Sequence, residues 1–179
     1  MEKSASIADG GPALGISPAT AGDQERLYKE AIEEFGAALV RLVRGYEPVS
    51  ADDRMVFVAD QMKPRLAVID TGTNSVTTWV PLPGTGYGTA ATHDGRWLLV
   101  ALLQPSEVAV VDLKTLQVVR TIAVPQRPIA IVVATDDAAA YVSCGHSGKI
   151  AVIKLSDWTV PRVIDAGKHV DGLALAASR

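Results

Sequence analysis

Residues 99–112 read LVALLQPSEVAVVD, two apolar runs separated by Gln104-Pro105-Ser106. Short Val-rich runs on either side of a Pro-containing break form two strands joined by a turn. The same arrangement stands 42 residues earlier, FVADQMKPRLAVID from Phe57 to Asp70, and 42 residues later, YVSCGHSGKIAVIK from Tyr141 to Lys154. The offset holds beyond these runs. Met55-Val56-Phe57-Val58 aligns with Trp97-Leu98-Leu99-Val100 and Ala139-Ala140-Tyr141-Val142; Val76, Val118 and Val160 correspond, as do Val80, Ile122 and Ile164. Register kept over three copies marks an internal repeat rather than a chance alternation.

One period reads as four short strands, most completely over Gly88–Thr92, Trp97–Leu102, Glu107–Asp112 and Gln117–Ile122. His93-Asp94-Gly95-Arg96 and Thr135-Asp136-Asp137-Ala138 supply the first turn of a unit, and Gln104-Pro105-Ser106 or Gly145-His146-Ser147-Gly148 the second. Four antiparallel strands per 42 residues is the spacing of a β-propeller blade. The expected fold is therefore mainly β: three four-stranded propeller-type blades over residues 54–179, forming an incomplete β-propeller. The copies begin at a second strand, Arg54–Asp60, and end at a first strand, Gly172–Ala176. Three blades fall short of the 4 to 8 that close a ring. The sequence thus reads as a fragment of a longer gene or as one part of a ring shared between subunits, and apolar ends without polar caps favour the fragment.

Upstream the pattern differs. Residues 1–22 are small and polar with frequent Gly and Pro, and read as a flexible leader. Over residues 23–47, Leu27, Ala31, Ile32, Phe35, Ala38, Leu39, Leu42 and Val43 recur at steps of three and four, one amphipathic α-helix with Asp23 as N-cap and Gly45 past its end. Residues 48–53, with Pro48, form a linker. Charge divides at the same place: residues 1–53 hold 10 acidic and 5 basic side chains, residues 54–179 hold 10 acidic and 12 basic.

Composition narrows the class. Of 179 residues, 48% are hydrophobic and only 5% aromatic, so the core is built from Val, Ile, Leu and Ala. A net charge of −3 is too near neutral for general attraction to nucleic acid or anionic membrane, and neither is an expected partner. The single cysteine, Cys144, has no disulfide partner in the chain and reads as a small buried hydrophobe. The N-terminal stretch lacks the h-region of a signal peptide, so as written the protein is expected in the cytoplasm.

The runs Phe57–Asp70 and Leu99–Asp112, and Tyr141-Val142-Ser143-Cys144 followed by Ile150-Ala151-Val152-Ile153, resemble YVTN-type propeller repeats such as those of YncE-like proteins and, more remotely, lactonase-like propellers. The resemblance implies the propeller fold and relatives that are often exported; it implies no shared catalytic motif. DQERLYKEAIEEFGAALVRLVRGYE, residues 23–47, resembles the opening helix of region 2 in extracytoplasmic-function sigma factors, without the helices that read the promoter.

Candidate functional residues follow from topology. Second-to-third turns and unit-to-unit connections share one face of a blade, here Gln61–Arg65, Gln104–Ser106 and Gly145–Gly148 with Gly84–Tyr87, Gln126–Pro128 and Gly167–Asp171. That face collects Lys63, Arg65, Arg127, His146, Lys168 and His169 against Asp171 alone, whereas the opposite face carries Asp70, Asp94, Asp112, Asp136, Asp137 and Asp157. Positive charge around a concave mouth concentrates anions. Asp70 and Asp112, each followed three residues later by Thr, and Lys154 followed by Asp157, read as turn chemistry. His93 falls across the blade from His146 and His169, which argues against one shared metal site, and neither a metal nor a cofactor is expected. No Gly-x-Ser-x-Gly elbow, phosphate loop or CxxC pair is present, and no catalytic residue is assigned. The expected function is a non-enzymatic binding or scaffold module for an unknown protein or a small anionic ligand, with exposed blade edges open to self-association. A lactonase-like hydrolase is the alternative, and a sigma-factor-related transcription protein acting through residues 23–47 the second.

Overall fold

The computed structural model describes Ser50 and residues 54–176. The expected leader, the helix over residues 23–47 and all of the linker but Ser50 lie outside the described residues. Within them the chain is mainly β. The strands are β1 (Met55–Ala59), β2 (Arg65–Asp70), β3 (Ser75–Pro81), β4 (Gly86–Ala91), β5 (Trp97–Leu102), β6 (Glu107–Asp112), β7 (Gln117–Ala123), β8 (Pro128–Val133), β9 (Ala139–Cys144), β10 (Lys149–Lys154) and β11 (Thr159–Asp165). They form three antiparallel sheets in a propeller-like arrangement, β1-β2-β3, β4-β5-β6-β7 and β8-β9-β10-β11.

The repeat governs the backbone in detail. Phe57 pairs with Val68, Leu99 with Val110 and Tyr141 with Val152, the same pair in each sheet. Register shifts between the third and fourth strands of each unit fall at Val68/Ile69, Val110/Val111 and Val152/Lys154. Each accompanies a turn closed by a left-handed residue, Asn74 (φ 52°), Leu116 (φ 55°) and Trp158 (φ 62°). A four-residue turn ending in the left-handed region adds one residue to its hairpin, which the bulge absorbs. Leu and Trp tolerate that conformation at a cost of roughly 1 kcal/mol because the N–H groups of Leu116 and Trp158 reach the carbonyls of Asp112 and Lys154 at 2.8 Å.

The sheets stack face to face. Phe57, Leu66, Val68 and Val80 of the first sheet meet Leu98, Val100, Ala109 and Val111 of the middle one. On the other side Leu99, Ala101, Val108, Val110 and Ile122 meet Val133, Ala140, Val142, Ala151 and Ile153 of the third. The middle sheet is covered on both faces, so every residue from Leu98 to Leu102 is fully buried. This double burial is why β5 and β6 are nearly continuous apolar runs rather than alternating ones.

One expectation needs correction. Among the described residues the first sheet has three strands, not four, and Gly172–Ala176, read as a first strand, is not one. In the complete sheets the leading strand takes its ladder from the second strand of its own unit, β4 from β5 and β8 from β9. No such unit follows Gly172–Ala176 among the described residues, so its backbone groups have no strand to pair with.

Candidate binding rim

Backbone hydrogen bonds tie the second-to-third turns to the connections between units, as the topology requires. The N–H of Leu82 donates to the Pro64 carbonyl (2.9 Å), that of Leu103 to Thr85 (3.3 Å) and that of Val124 to Ser106 (3.0 Å). In the third sheet Gly145 N–H donates to the Arg127 carbonyl and Ala166 N–H to that of Gly148, both at 2.9 Å. The Ser147 hydroxyl donates to the Cys144 carbonyl at 3.1 Å, which pins the tip of that turn.

Within this rim the candidate residues separate into two groups. Arg127, His146, Lys168, His169 and Asp171, all exposed, come from three loops of the third sheet. The bond from Gly145 N–H to the Arg127 carbonyl places the turn that carries His146 next to the connection that carries Arg127. Gly148, with φ 64°, lies so close to the next connection that a Cβ there would stand 2.0 Å from the Gly167 carbonyl oxygen, so only glycine lets the two loops meet. Arg127 (φ 60°) and His169 (φ 59°) occupy the same left-handed position in successive connections.

Lys63 and Arg65 sit on the first sheet, apart from this group. Arg65 is already engaged: its Nε donates to Asp60 Oδ2 at 2.8 Å and its guanidinium stacks 3.6 Å from the centre of the Trp79 ring. Asp60, which sequence reasoning left out of the rim, therefore offsets a charge counted as free. Burial works against its ionisation. The bond from Arg65 and the N–H groups of Met62 and Lys63, at 2.9 and 3.0 Å, outweigh that and hold its pKa below the ordinary carboxylate value. The signal was readable, since a carboxylate five residues before an arginine across a hairpin brings the two side chains together.

At the opposite end the carboxylates serve their own turns. Asp70 Oδ1 accepts from the N–H groups of Gly72 and Thr73 and from the Thr73 hydroxyl, and Asp112 Oδ1 from the N–H groups of Lys114 and Thr115. Asp157 takes Lys154 Nζ at 2.8 Å and the Thr159 hydroxyl at 2.7 Å, and its pKa falls to about 2. Asp94 accepts from the Arg96 N–H and Asp136 from that of Ala138, both at 3.0 Å. Asp137 does something the sequence did not announce. Its carboxylate bridges two sheets, accepting the N–H groups of His93 and Asp94 and meeting His93 Nδ1, each at 2.9 Å. His93 is thereby held at the end away from His146 and His169. Cys144 is buried, and burial pushes its thiol pKa up to about 11, which leaves it unreactive near neutral pH. Among the described residues no group of three or more His, Cys, Asp or Glu could hold a metal ion.

No family model and no curated protein sequence matches the chain. Solved structures do. Over 68% of its length it is similar to hydrazine synthase of Kuenenia stuttgartiensis, with 28% identity and a TM-score of 0.65, covering 35% of that chain. Over 64% it is similar to apo AztD from Citrobacter koseri, at 15% identity and a TM-score of 0.53, covering 33% of that chain. Over 68% it is similar to U3-55K, at 12% identity and a TM-score of 0.62, covering 39% of that chain. The chain thus spans about a third to two fifths of these structures, and the likeness supports a propeller-like β scaffold.

Proposed function

We propose that the chain is a YVTN-type, YncE-like propeller module without catalytic function, which binds a small anionic ligand or an acidic protein surface at the loop end of its third sheet. One observation supports the reading: backbone contacts hold together the three loops that carry Arg127, His146, Lys168 and His169, while the acidic side chains Asp70, Asp94, Asp112, Asp136, Asp137 and Asp157 engage turns at the far end. A focused positive field attracts anions and weakens as salt screens it. Arg65 has no part in this version of the site, because Asp60 and Trp79 already engage it, and Lys63 lies beside it on the first sheet. The lactonase-like and sigma-factor-related alternatives gain no support from the described residues.

The test is calorimetric titration with citrate and with pyrophosphate at low and high salt. Arg127→Ala together with Lys168→Ala is expected to lower affinity about tenfold or more, the loss shrinking as salt rises, with an unchanged melting midpoint. Equal affinity in the double variant discards the site.

A further inference from the structure

The outer face of the first sheet is closed, although among the described residues no sheet adjoins it. Val56 on β1 and Ala67 and Ile69 on β2 are 2%, 5% and 7% exposed, yet they belong to neither of the clusters formed between sheets. Their counterparts 42 residues on, Leu98, Ala109 and Val111, are buried because the first sheet covers them. An uncovered face of the same repeat looks different: Tyr141, Ile150 and Val152, on the outer side of the third sheet, are only half-buried. Cover therefore lies over β1 and β2. It does not reach β3, where Val76, paired with Ile69, is 40% exposed. The turn end of this face also departs from the repeat. Leu113 with Leu116, and Leu155 with Trp158, give way to Thr71 with Asn74, so the face is not shaped to receive another sheet.

We infer that residues 23–47 are this cover, their apolar stripe lying along Val56, Ala67 and Ile69 and their polar side turned to solvent. Width, reach and pattern agree. A helix is about 10 Å across and strands lie about 4.8 Å apart, so one helix spans two strands and leaves the third open. Ser50, itself buried, is fixed at the head of β1: its N–H donates to the Met55 carbonyl at 2.8 Å, and its hydroxyl accepts the N–H groups of Arg54 and Met55. Residue 47 stands three positions before it and so within about 10 Å. The chain after β11 is engaged elsewhere, since the Ala166 N–H donates to the Gly148 carbonyl of the third sheet. At helical spacing Ala31, Phe35, Ala38 and Leu42 fall on one side of the segment, and Lys29 and Glu33 on the other. Such a segment does what a capping repeat does in a stacked array, burying one apolar face and offering a polar one. While it is in place the first sheet presents no docking face to a partner. The inference does not depend on the anion-binding rim and survives its failure.

Thiol labelling of the full 179-residue chain tests it. The Ala67→Cys thiol is expected to react as slowly as the Ala151→Cys thiol at the matching position of the third sheet, which the middle sheet covers. Phe35→Glu together with Leu42→Glu should speed the first about tenfold or more and leave the second unchanged, because unpaired charges cannot remain in an apolar contact. The buried Cys144 supplies the same slow background in every chain. Glu33→Gln, on the polar side, changes neither rate. If circular dichroism shows that the double variant does not fold, Phe35→Ala replaces it with the same expected split. An Ala67→Cys thiol that reacts equally fast with and without the charges in the stripe overturns the inference. So does one that reacts freely beside the wild-type segment, or protection that falls away on dilution, which would make a second copy the cover.

Discussion

Val110 and Val152 hold the same place in their repeats, on the third strand of a sheet and opposite the same kind of partner, Leu99 in one and Tyr141 in the other. Val110 is fully buried and Val152 is not. Among the described residues the middle sheet has a neighbour on both sides, whereas the third has one on one side only. Because local sequence and strand pairing are alike, the difference isolates what a neighbouring sheet adds. A repeat unit of this kind cannot bury its faces alone, and its stability comes from the contact with the next unit.

The largest effect separating the two sheets is expected from a charge placed at this shared position. Val110→Glu puts an unpaired carboxylate into a closed core and should cost more than about 4 kcal/mol, most of the stability of an ordinary domain. Val152→Glu should cost about 1 kcal/mol or less. Urea unfolding of both variants gives the comparison directly, and similar losses would break it.

Glycine gives a second matched pair. A Cβ on Gly88 would stand 2.1 Å from the carbonyl oxygen of Ile129, where β4 lies against β8, while a Cβ on Gly172, two repeats later, meets nothing within 4 Å. Gly88→Ala should force the two strands apart at a cost of about 2 kcal/mol, and Gly172→Ala should fall within about 0.5 kcal/mol of the wild type. Thermal melting of the pair is sufficient to read this.

The smallest of these effects concerns the bridge between the same two sheets. Burial raises the pKa of Asp137, but the bonds from His93 and Asp94 prevail and hold it below the ordinary carboxylate value. A folded-state pKa below the unfolded one stabilises the protein at pH above the unfolded value and loses that stabilisation as pH falls through the folded value. Asp137→Asn should therefore weaken the fold modestly at pH 7 and flatten the loss of melting midpoint below about pH 4. Part of the acid slope remains in the variant, because Asp60, Asp70, Asp112 and Asp157 shift in the same direction.

Much of this contrast is legible in the sequence because the repeat is written in residues that act locally. Trp97–Leu102 and Glu107–Asp112 were read with their observed bounds, since Asp94-Gly95 and Pro105 punctuate them and their apolar runs leave no other period. Asp70 and Asp112 were legible as turn residues because their hydrogen bonds reach only two and three residues ahead. What escaped depends on contacts between distant residues. Gly172–Ala176 has the composition of a leading strand but lacks a partner, and pairing is not a property of the segment itself. Arg65 was counted as a free charge because its stacking on Trp79 joins two strands. The Asp137 bridge spans 44 residues, yet the 42-residue offset places the turns at His93 and Thr135 at the same end of adjacent sheets, and that was the available signal.

Native-state hydrogen exchange, followed strand by strand on the chain, tests most directly whether neighbouring sheets rather than local sequence hold the fold. Opening free energies are expected to be highest in β5 and β6, lower at the matching positions of β9 and β10, and lowest in β11 and residues 172–176, the order set by how many sides of each segment are covered. Equal protection at matched positions of β6 and β10, or greater protection in the third sheet than in the middle one, would contradict it.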